Sequence, residues 1–247
     1  MIVSSQEYKR LYSEMHSSAD FGALSKRFRI PRETLDVIFH QKLTRRVRSH
    51  YHRLKAGSIK LNHEWEAGAS FIELSAKHNF SPLMIASLVL QRRGFTKPRV
   101  SALIKDPSRV NDERIERELN AASVADPAFS PWGISEQRRR ALECEDGVRK
   151  WLQSHGAEFK HESEQAKTGK TPDYLLDKPV SIHGHLLNWI ECKASFGDHD
   201  ETKRNLSQQL THYHKLFGPG MVVYWYGVEE NPVTYEGIIV ATKDFLE

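Results

Sequence analysis

The first half of the chain carries hydrophobic residues at helical spacing. Between residues 20 and 54 this pattern is broken by a short turn around Arg29–Pro31, so it predicts two helices that meet at a tight corner. A shift of fifty residues brings back a similar arrangement between residues 70 and 94, with Ser75 in the place of Ser25. We therefore predict two helix-turn-helix units, at about 20–54 and 70–94.

The second half of the chain has a mixed pattern of helices and strands. The predicted elements are a helix from about Ile134 to Ser154, strand-like segments at 157–161, 173–176, 180–182 and 186–194, a helix at about 200–217, and strands at 221–227 and 237–241. This order implies a mixed central sheet flanked by helices. Because the stretch at 126–131 is rich in turn residues, we predict an all-α region at 1–125 and an α/β domain at 132–247.

The net charge of +4 hides an asymmetry between the two halves. Residues 1–125 carry 22 Lys and Arg against 13 Asp and Glu, whereas the remainder carries 14 against 19. A basic region is typical of a module that binds a polyanion such as DNA. On the predicted second helix of the first unit, one face collects the basic residues that we expect to follow the DNA backbone, namely Lys42, Arg45, Arg46 and Arg53. The alternative is a helical bundle whose charged face is solvated or binds a protein.

Composition narrows the class of protein. With 39% hydrophobic residues the chain can form real cores, and no apolar run approaches the roughly 20 residues that span a bilayer. The start of the chain lacks the apolar stretch of a signal peptide, and two cysteines are too few for a disulfide framework. We expect an intracellular protein with no membrane association, in the nucleus and cytoplasm of a eukaryote or the cytoplasm of a prokaryote.

The segment Asn188–Ser195, NWIECKAS, places two charges in an otherwise buried strand. Side chains alternate along a strand, so Glu191 and Lys193 project from the same face. Asp173 begins another predicted strand, directly after Pro172, and two neighbouring strands would bring Asp173 and Glu191 together. The alternative without a functional role is a simple cross-strand ion pair with Asp173 in a turn.

The helix before these strands offers a third carboxylate. Glu145 lies within its apolar stripe, whereas Glu143 projects to the polar side, although the helix register leaves the choice between them open. Three acids beside one lysine provide the oxygen ligands that Mg²⁺ prefers, with water and a substrate phosphate at the open positions. Lys193 would then orient or deprotonate the attacking water and stabilise the charge that develops on the phosphate.

These residues resemble a known enzyme superfamily. Glu145, Pro172-Asp173 and Glu191-Cys192-Lys193 are similar to the PD-(D/E)xK nucleases, and Gln209-Leu210-Thr211-His212-Tyr213 resembles the QxxxY element of several of their branches. The runs KTPDYLL, HGHLLNWIECKASFGD and FGPGMVVYWYG resemble more closely the codanin-interacting nuclease family, which carries a TPD signature and two N-terminal helix-turn-helix units.

The resemblance implies a restriction-endonuclease-like α/β core, Mg²⁺ or Mn²⁺ as cofactor, and DNA as substrate, with structured or branched DNA suggested by a distant branch. By analogy, Asp173, Glu191 and the main-chain carbonyl of Cys192 would be metal ligands, and Glu145 an outer or second-metal carboxylate. Lys193 would be the catalytic lysine. Gln209 and Tyr213 would support the site or position the substrate.

The same resemblance bears on partners. It implies a codanin-like partner in a eukaryote, and a homodimer is open because many nucleases of this fold cut as dimers. Near the site, Lys167 and Lys170 would approach a DNA phosphate, or else belong to a solvated loop. The main alternative to a nuclease is a non-catalytic DNA-binding or scaffold protein whose nuclease-like core docks a partner.

Overall fold

The structure is a computed structural model that describes residues 1–165, 169–182 and 184–246. Its helices are α1 (Ser5–Glu14), α2 (Phe21–Phe28), α3 (Arg32–Ala56), α4 (Ser58–Glu66), α5 (Phe71–His78), α6 (Pro82–Arg92), α7 (Lys97–Lys105), α8 (Glu113–Ala125), α9 (Pro131–Ser154), α10 (His199–Asn205) and α11 (Thr211–Phe217), with a π-helical turn at Leu206–Leu210. Its strands are β1 (Ile2–Val3), β2 (Phe159–His161), β3 (Tyr174–Ile182), β4 (His185–Lys193), β5 (Gly220–Tyr224), β6 (Val228–Glu229) and β7 (Ile238–Thr242). Short 3₁₀ turns lie at Ser18–Asp20, Pro107–Arg109, Glu162–Glu164 and Lys243–Leu246.

The chain divides into two compact units. Unit 1 joins Met1–Phe39 to Arg139–Glu247, and unit 2 is His40–Arg138. These units differ from the predicted segments 1–125 and 132–247. The reason is that the first helices belong with the C-terminal half: β1 pairs with β6, and the Tyr8 hydroxyl donates to the buried Asp198 carboxylate.

Unit 1 is built on a five-stranded mixed sheet with the strand order β2-β3-β4-β5-β7. The β2–β3 and β3–β4 pairs are antiparallel, and the β4–β5 and β5–β7 pairs are parallel. The predicted segments 173–176 and 180–182 form one continuous strand, with a register irregularity between Leu175 and Val180. Since helices cover the sheet, the predicted mixed sheet flanked by helices is confirmed.

Two apolar layers hold this sheet. On one face, Val148, Trp151 and Leu152 of α9 pack with Ile190 of β4 and its neighbours. On the other face, Trp189 packs with Leu206, Leu210 and Tyr213, which follow α10. The alternation of side chains along β4 therefore separates two cores, and any polar residue of β4 belongs to one of these two faces.

Unit 2 is helical and has its own core, formed mainly by α4, α5, α6, α7 and α8. At its edge the Trp65 indole donates to the buried Glu118 carboxylate at 2.9 Å. Arg114 pairs with the same carboxylate at 2.7 Å and lies 4.0 Å from the Trp65 ring centroid. The buried Glu118 is thus satisfied by a fixed cation and two hydrogen-bond donors, since the Phe71 amide also donates to it.

The fifty-residue repeat is present in the structure as two three-helix arrangements, α1–α3 and α4–α6. In each arrangement the residue after the second helix has the left-handed conformation, namely Arg29 and Asn79. A serine of the second helix donates to a carbonyl five residues later, from Ser25 to Ile30 and from Ser75 to Phe80. An ion pair joins the first two helices, Arg27–Glu14 in one arrangement and Lys77–Glu64 in the other. A helix pair therefore stands at each predicted position.

The third helix of each arrangement is used for packing. In α6 the residues Leu83, Ile85, Ala86 and Leu88–Leu90 are all buried in the core of unit 2. In α3 the first turns are buried from Thr34 to His40 apart from Asp36, whose carboxylate pairs with Arg140 of α9. The buried positions of these two helices are not available for contacts with DNA. The expectation that the basic face of α3 follows a DNA backbone stays a prediction.

Among the described residues, no helix is both long and apolar enough to cross a membrane.

Candidate active site

Glu191 and Lys193 lie near the end of the central strand β4. The Lys193 amine donates to Glu191 Oε1 at 2.5 Å. Both share their face of the sheet with Trp189, whereas Ile190 and Cys192 pack on the face of α9. The alternation predicted from the sequence is confirmed, and it places a carboxylate and an amine on the side that α10 and α11 cover.

Asp173 lies opposite Glu191 because of the strand register. Tyr174 pairs with Ile190 in the antiparallel β3–β4 ladder, so the residue before β3 faces the residue after Ile190. The Cys192 amide donates to Asp173 Oδ2 at 2.6 Å, and the Asp173 amide donates to Glu191 Oε2 at 3.3 Å. The Glu191 carboxylate is therefore held by the amide of Asp173, and the Asp173 carboxylate by the amide of the residue that follows Glu191.

A chain of hydrogen bonds ties Lys193 to the helical side of the site. The Lys193 amine also donates to Gln209 Oε1 at 2.9 Å. Gln209 Nε2 donates to the Tyr213 hydroxyl at 2.6 Å, and this hydroxyl donates to the Thr171 carbonyl at 2.6 Å. The amine is thus held between Glu191 and a buried polar chain that ends beside Asp173.

A π-helical turn carries Gln209. It occupies Leu206–Leu210, and the Thr211 hydroxyl donates to the Leu206 carbonyl at 3.0 Å. Such wide turns are rare and are frequent at functional sites. The sequence pattern predicts only one continuous helix at 200–217, so this turn was not foreseen.

Burial strongly affects the carboxylates. Desolvation raises the pKa of Asp173 above its ordinary value, although the Cys192 amide and Lys193 oppose the shift. Desolvation likewise raises the pKa of Glu191 to about 7, with Lys193 opposing the shift and Asp173 reinforcing it. Two buried acids this close together are costly to ionise, and a bound cation would relieve that cost.

Glu145 stands apart from this pair. Its carboxylate is half-exposed and lies 3.8 Å from His161 Nε2, and burial together with the nearby Asp173 raises its pKa. Glu143 is paired with Arg139 at 2.7 Å on the polar side of α9, so Glu145 is the inward-facing acid, as predicted. Among the described residues, no three His, Cys, Asp or Glu side chains are grouped closely enough to hold a metal ion. Asp173 and Glu191 converge, and Glu145 lies beside them, close enough for Asp173 to raise its pKa. That all three carboxylates bind one ion stays a prediction.

His161 is a site residue that sequence reasoning missed. It ends β2 and pairs with Tyr174 in the ladder, which brings its ring next to Glu145 and within electrostatic reach of Asp173. The only available signal was its place at the end of a predicted strand. That signal identifies no partner, because the pairing of β2 with β3 is a long-range feature.

Comparison with known proteins assigns the chain to a family. Residues 111–244 match a family described as "Protein of unknown function TPD sequence-motif". The chain belongs to this family. A protein of Xenopus tropicalis named "CDAN1-interacting nuclease 1" is 34% identical to it over 186 residues, which cover 71% of this chain and 61% of that protein. The human protein of the same name is 30% identical over 190 residues, which cover 73% and 66%.

The chain spans about three fifths of the length of the two Xenopus relatives, with 61% and 56% covered. The Danio rerio protein of the same name is 29% identical over 216 residues, which cover 72% of its length. No solved structure matches the chain significantly. The resemblance to the codanin-interacting nucleases, predicted from the sequence, is confirmed.

The donor set of this TPD-family site fits Mg²⁺ or Mn²⁺. Asp173 and Glu191 supply two hard oxygen ligands with raised pKa values, and the Cys192 carbonyl lies in the same strand segment between Glu191 and Lys193. Mg²⁺ is usually bound by one or two carboxylates together with water and substrate phosphate. Two carboxylates are therefore sufficient for one ion.

The predicted DNA-contacting residues of this TPD-family chain are only partly exposed. Lys42, Arg45 and Arg46 are half-buried, and Arg46 donates to the Asn79 side chain at 2.5 Å. Arg53 is exposed. Lys170 is exposed as well, and its amine donates to the Gln208 carbonyl of the π-helical turn. Lys167 lies outside the described residues.

Proposed function

We propose that the chain is a divalent-metal-dependent nuclease of the PD-(D/E)xK type, with a restriction-endonuclease-like core, that hydrolyses phosphodiester bonds of DNA. The observation that carries the proposal is the pairing of Asp173 and Glu191 beside the Lys193 amine. The strand order and the helices on both faces of the sheet agree with such a core. The name "nuclease" of the relatives supports the reaction class.

In this proposal Asp173, Glu191 and the Cys192 carbonyl hold Mg²⁺ or Mn²⁺. When bound, the ion supplies positive charge against the phosphate and makes water a better nucleophile at neutral pH. Lys193 holds its ammonium group at the same edge, where it orients the attacking water and offsets the charge that develops on the phosphate oxygens. Gln209 keeps Lys193 in place, and Tyr213 keeps Gln209 in place.

Charge supports DNA as the substrate. The sequence pI of about 9.0 favours a polyanionic partner. Lys170 is exposed and directly precedes the Thr171-Pro172-Asp173 segment, so we expect it to contact a phosphate that approaches Asp173. We propose structured or branched DNA as the preferred form, because α6 and the first turns of α3 are buried and the exposed basic residues, such as Arg53, suit contacts with phosphates.

A cleavage assay tests the proposal. The wild type is compared with Asp173→Asn and Lys193→Met on linear, flap and four-way-junction DNA and on RNA, with Mg²⁺, with Mn²⁺ and with a chelator. We expect metal-dependent DNA cleavage that drops at least about 100-fold in both variants. Lys178→Met, which changes an exposed lysine of β3, serves as the matched control and should cleave normally. Equal activity in all four proteins would refute the assignment.

A second candidate function is protein docking, which the relatives' names favour because they are called CDAN1-interacting. A scaffold that has lost its chemistry would bind a codanin-like protein and no metal. Calorimetry with Mn²⁺ separates the two candidates. The nuclease binds the ion in a manner that Glu191→Gln weakens, and a pure scaffold shows no heat in either protein.

A further inference from the structure

The three residues of the TPD motif are held by their backbone carbonyls. The Thr171 carbonyl accepts from the Tyr213 hydroxyl at 2.6 Å. The Pro172 carbonyl accepts from Gln165 Nε2 at 2.8 Å, and the Asp173 carbonyl accepts from the Glu162 amide at 3.0 Å. Asp173 lies just before β3, so these bonds fix a segment that the strand ladder itself does not reach.

Gln165 makes the middle contact from a buried position. Its side chain is 8% exposed, and Nε2 donates to the Lys160 carbonyl at 3.1 Å as well as to Pro172. Its own amide donates to the Glu162 carbonyl at 3.3 Å, which closes the turn between β2 and the motif. One side chain thus joins the end of β2 to the residue that precedes the catalytic aspartate.

Proline explains why a side chain is needed there. Pro172 has no N–H group, so its carbonyl is the only backbone group through which this residue can be anchored. The Pro172 residue is buried, where an unpaired carbonyl would be costly.

We propose that Gln165 is a positioning residue for Asp173, which sets the orientation of that carboxylate for metal binding through its two hydrogen bonds to the Pro172 and Lys160 carbonyls. The inference rests on the proposed function, since it deepens the account of the same site. Gln165 belongs to none of the motifs that the sequence predicts to be functional. Its role follows from the bonds alone.

Calorimetric Mn²⁺ titration of the full chain tests this role. Gln165→Leu removes both hydrogen bonds at similar volume, and Gln165→Met keeps the length of the side chain in case the branched variant folds poorly. We expect each to bind Mn²⁺ about 10-fold more weakly than the wild type, a change of about 1.4 kcal/mol, while circular dichroism shows the folded chain. A merely structural role would lower the melting temperature and leave the Mn²⁺ affinity of the folded protein unchanged.

Gln137→Leu provides the matched control. Gln137 Nε2 also donates to a main-chain carbonyl, that of Ala128 at 2.9 Å, but in unit 2. This variant should bind Mn²⁺ as the wild type does. If the wild type binds no Mn²⁺, the proposed function fails. If it binds and folded Gln165→Leu or Gln165→Met binds equally well, the positioning role alone is overturned.

Discussion

Glu191 is buried in the site, although its ionised carboxylate would be more stable in water. The residue is 3% exposed, and burial raises the pKa of its carboxyl group to about 7 from the ordinary value of 4.5. A carboxyl group whose pKa is higher in the folded state binds more protons there than in the unfolded chain, so the free energy of unfolding falls as the pH rises between these two values. The metal-free protein should consequently be less stable at pH 8 than at pH 5.

The substitution Glu191→Gln should remove this loss. In the metal-free state at pH 8, we expect the variant to be more stable than the wild type by on the order of 2 kcal/mol, and the difference should shrink toward pH 5. Urea unfolding across this pH range measures it. The glutamine carbonyl can still accept from Lys193, whereas the hydrogen bond from the Asp173 amide is lost at every pH, so the pH dependence of the difference is the quantity to compare. A wild-type stability that rises between pH 5 and pH 8 relative to the variant would contradict the prediction.

At the residue scale, much of the candidate site could be predicted from the sequence. The period-two alternation places Glu191 and Lys193 on one face, and a Pro-Asp pair at the start of the next strand predicts that Asp173 lies nearby. For the third carboxylate, helical periodicity predicts the direction of Glu145 but not its distance from the sheet. His161 and Gln165 act through strand pairing and through backbone carbonyls, neither of which leaves a pattern in the sequence.

At the scale of elements, the sheet depends on close contact between β4 and β5. Gly220 begins β5 with the Trp189 indole against it, and a Cβ atom placed there would lie 2.1 Å from Cε2 of that ring. Trp189 is fully buried on the same face as Glu191 and Lys193. The glycine therefore allows a large ring to fill the space beneath the site.

Gly220→Ala should destabilise unit 1 through overpacking. We expect the free energy of unfolding to fall by about 1–3 kcal/mol, because the ring and the start of β5 must both shift. Denaturant unfolding followed by tryptophan fluorescence checks this. Gly22→Ala is the control: its Cβ would meet nothing within 4 Å inside α2, so it should stabilise the chain slightly. A loss of similar size in both variants would argue against the packing explanation.

The types of the elements could be predicted better than their continuity. The strands and long helices follow from hydrophobic periodicity, and the predicted end of the long helix at Ser154 agrees with the end of α9. The irregular register within β3 and the π-helical turn at Leu206–Leu210 were missed. Both are local departures from a regular period that packing imposes, so a search for regular periods cannot reveal them.

At the scale of the whole molecule, the units could not be delimited from charge. The basic excess of residues 1–125 predicts one region, but the first three helices begin in unit 1, where Glu33 and Asp36 pair with Arg139 and Arg140. Charge asymmetry shows where the basic residues lie along the sequence. It does not predict which helices pack into the same core.

Two arginines of the predicted basic face of α3 should affect DNA binding differently. Arg53 is exposed, whereas Arg46 is half-buried and bonded to Asn79. If the chain binds DNA through phosphates, Arg53→Ala should lower the slope of log affinity against log salt by about 1. Arg46→Ala should leave the slope unchanged and reduce stability instead, because it removes a bond within unit 2.

Fluorescence anisotropy of a labelled duplex between about 50 and 200 mM salt measures both slopes. Lys60→Ala, at an exposed lysine of α4, controls for the loss of one unit of charge. A slope that falls with Arg46→Ala and not with Arg53→Ala would show that Arg46 leaves Asn79 to meet the phosphates.

The burial of α6 and of the first turns of α3 has a consequence for what this protein can recognise. Side chains that fill a core cannot reach the edges of nucleobases, and a contact made only with phosphates does not depend on the base sequence. Any discrimination among targets would then arise from the shape and bendability of the strand, so random libraries should yield a preferred geometry without a consensus sequence.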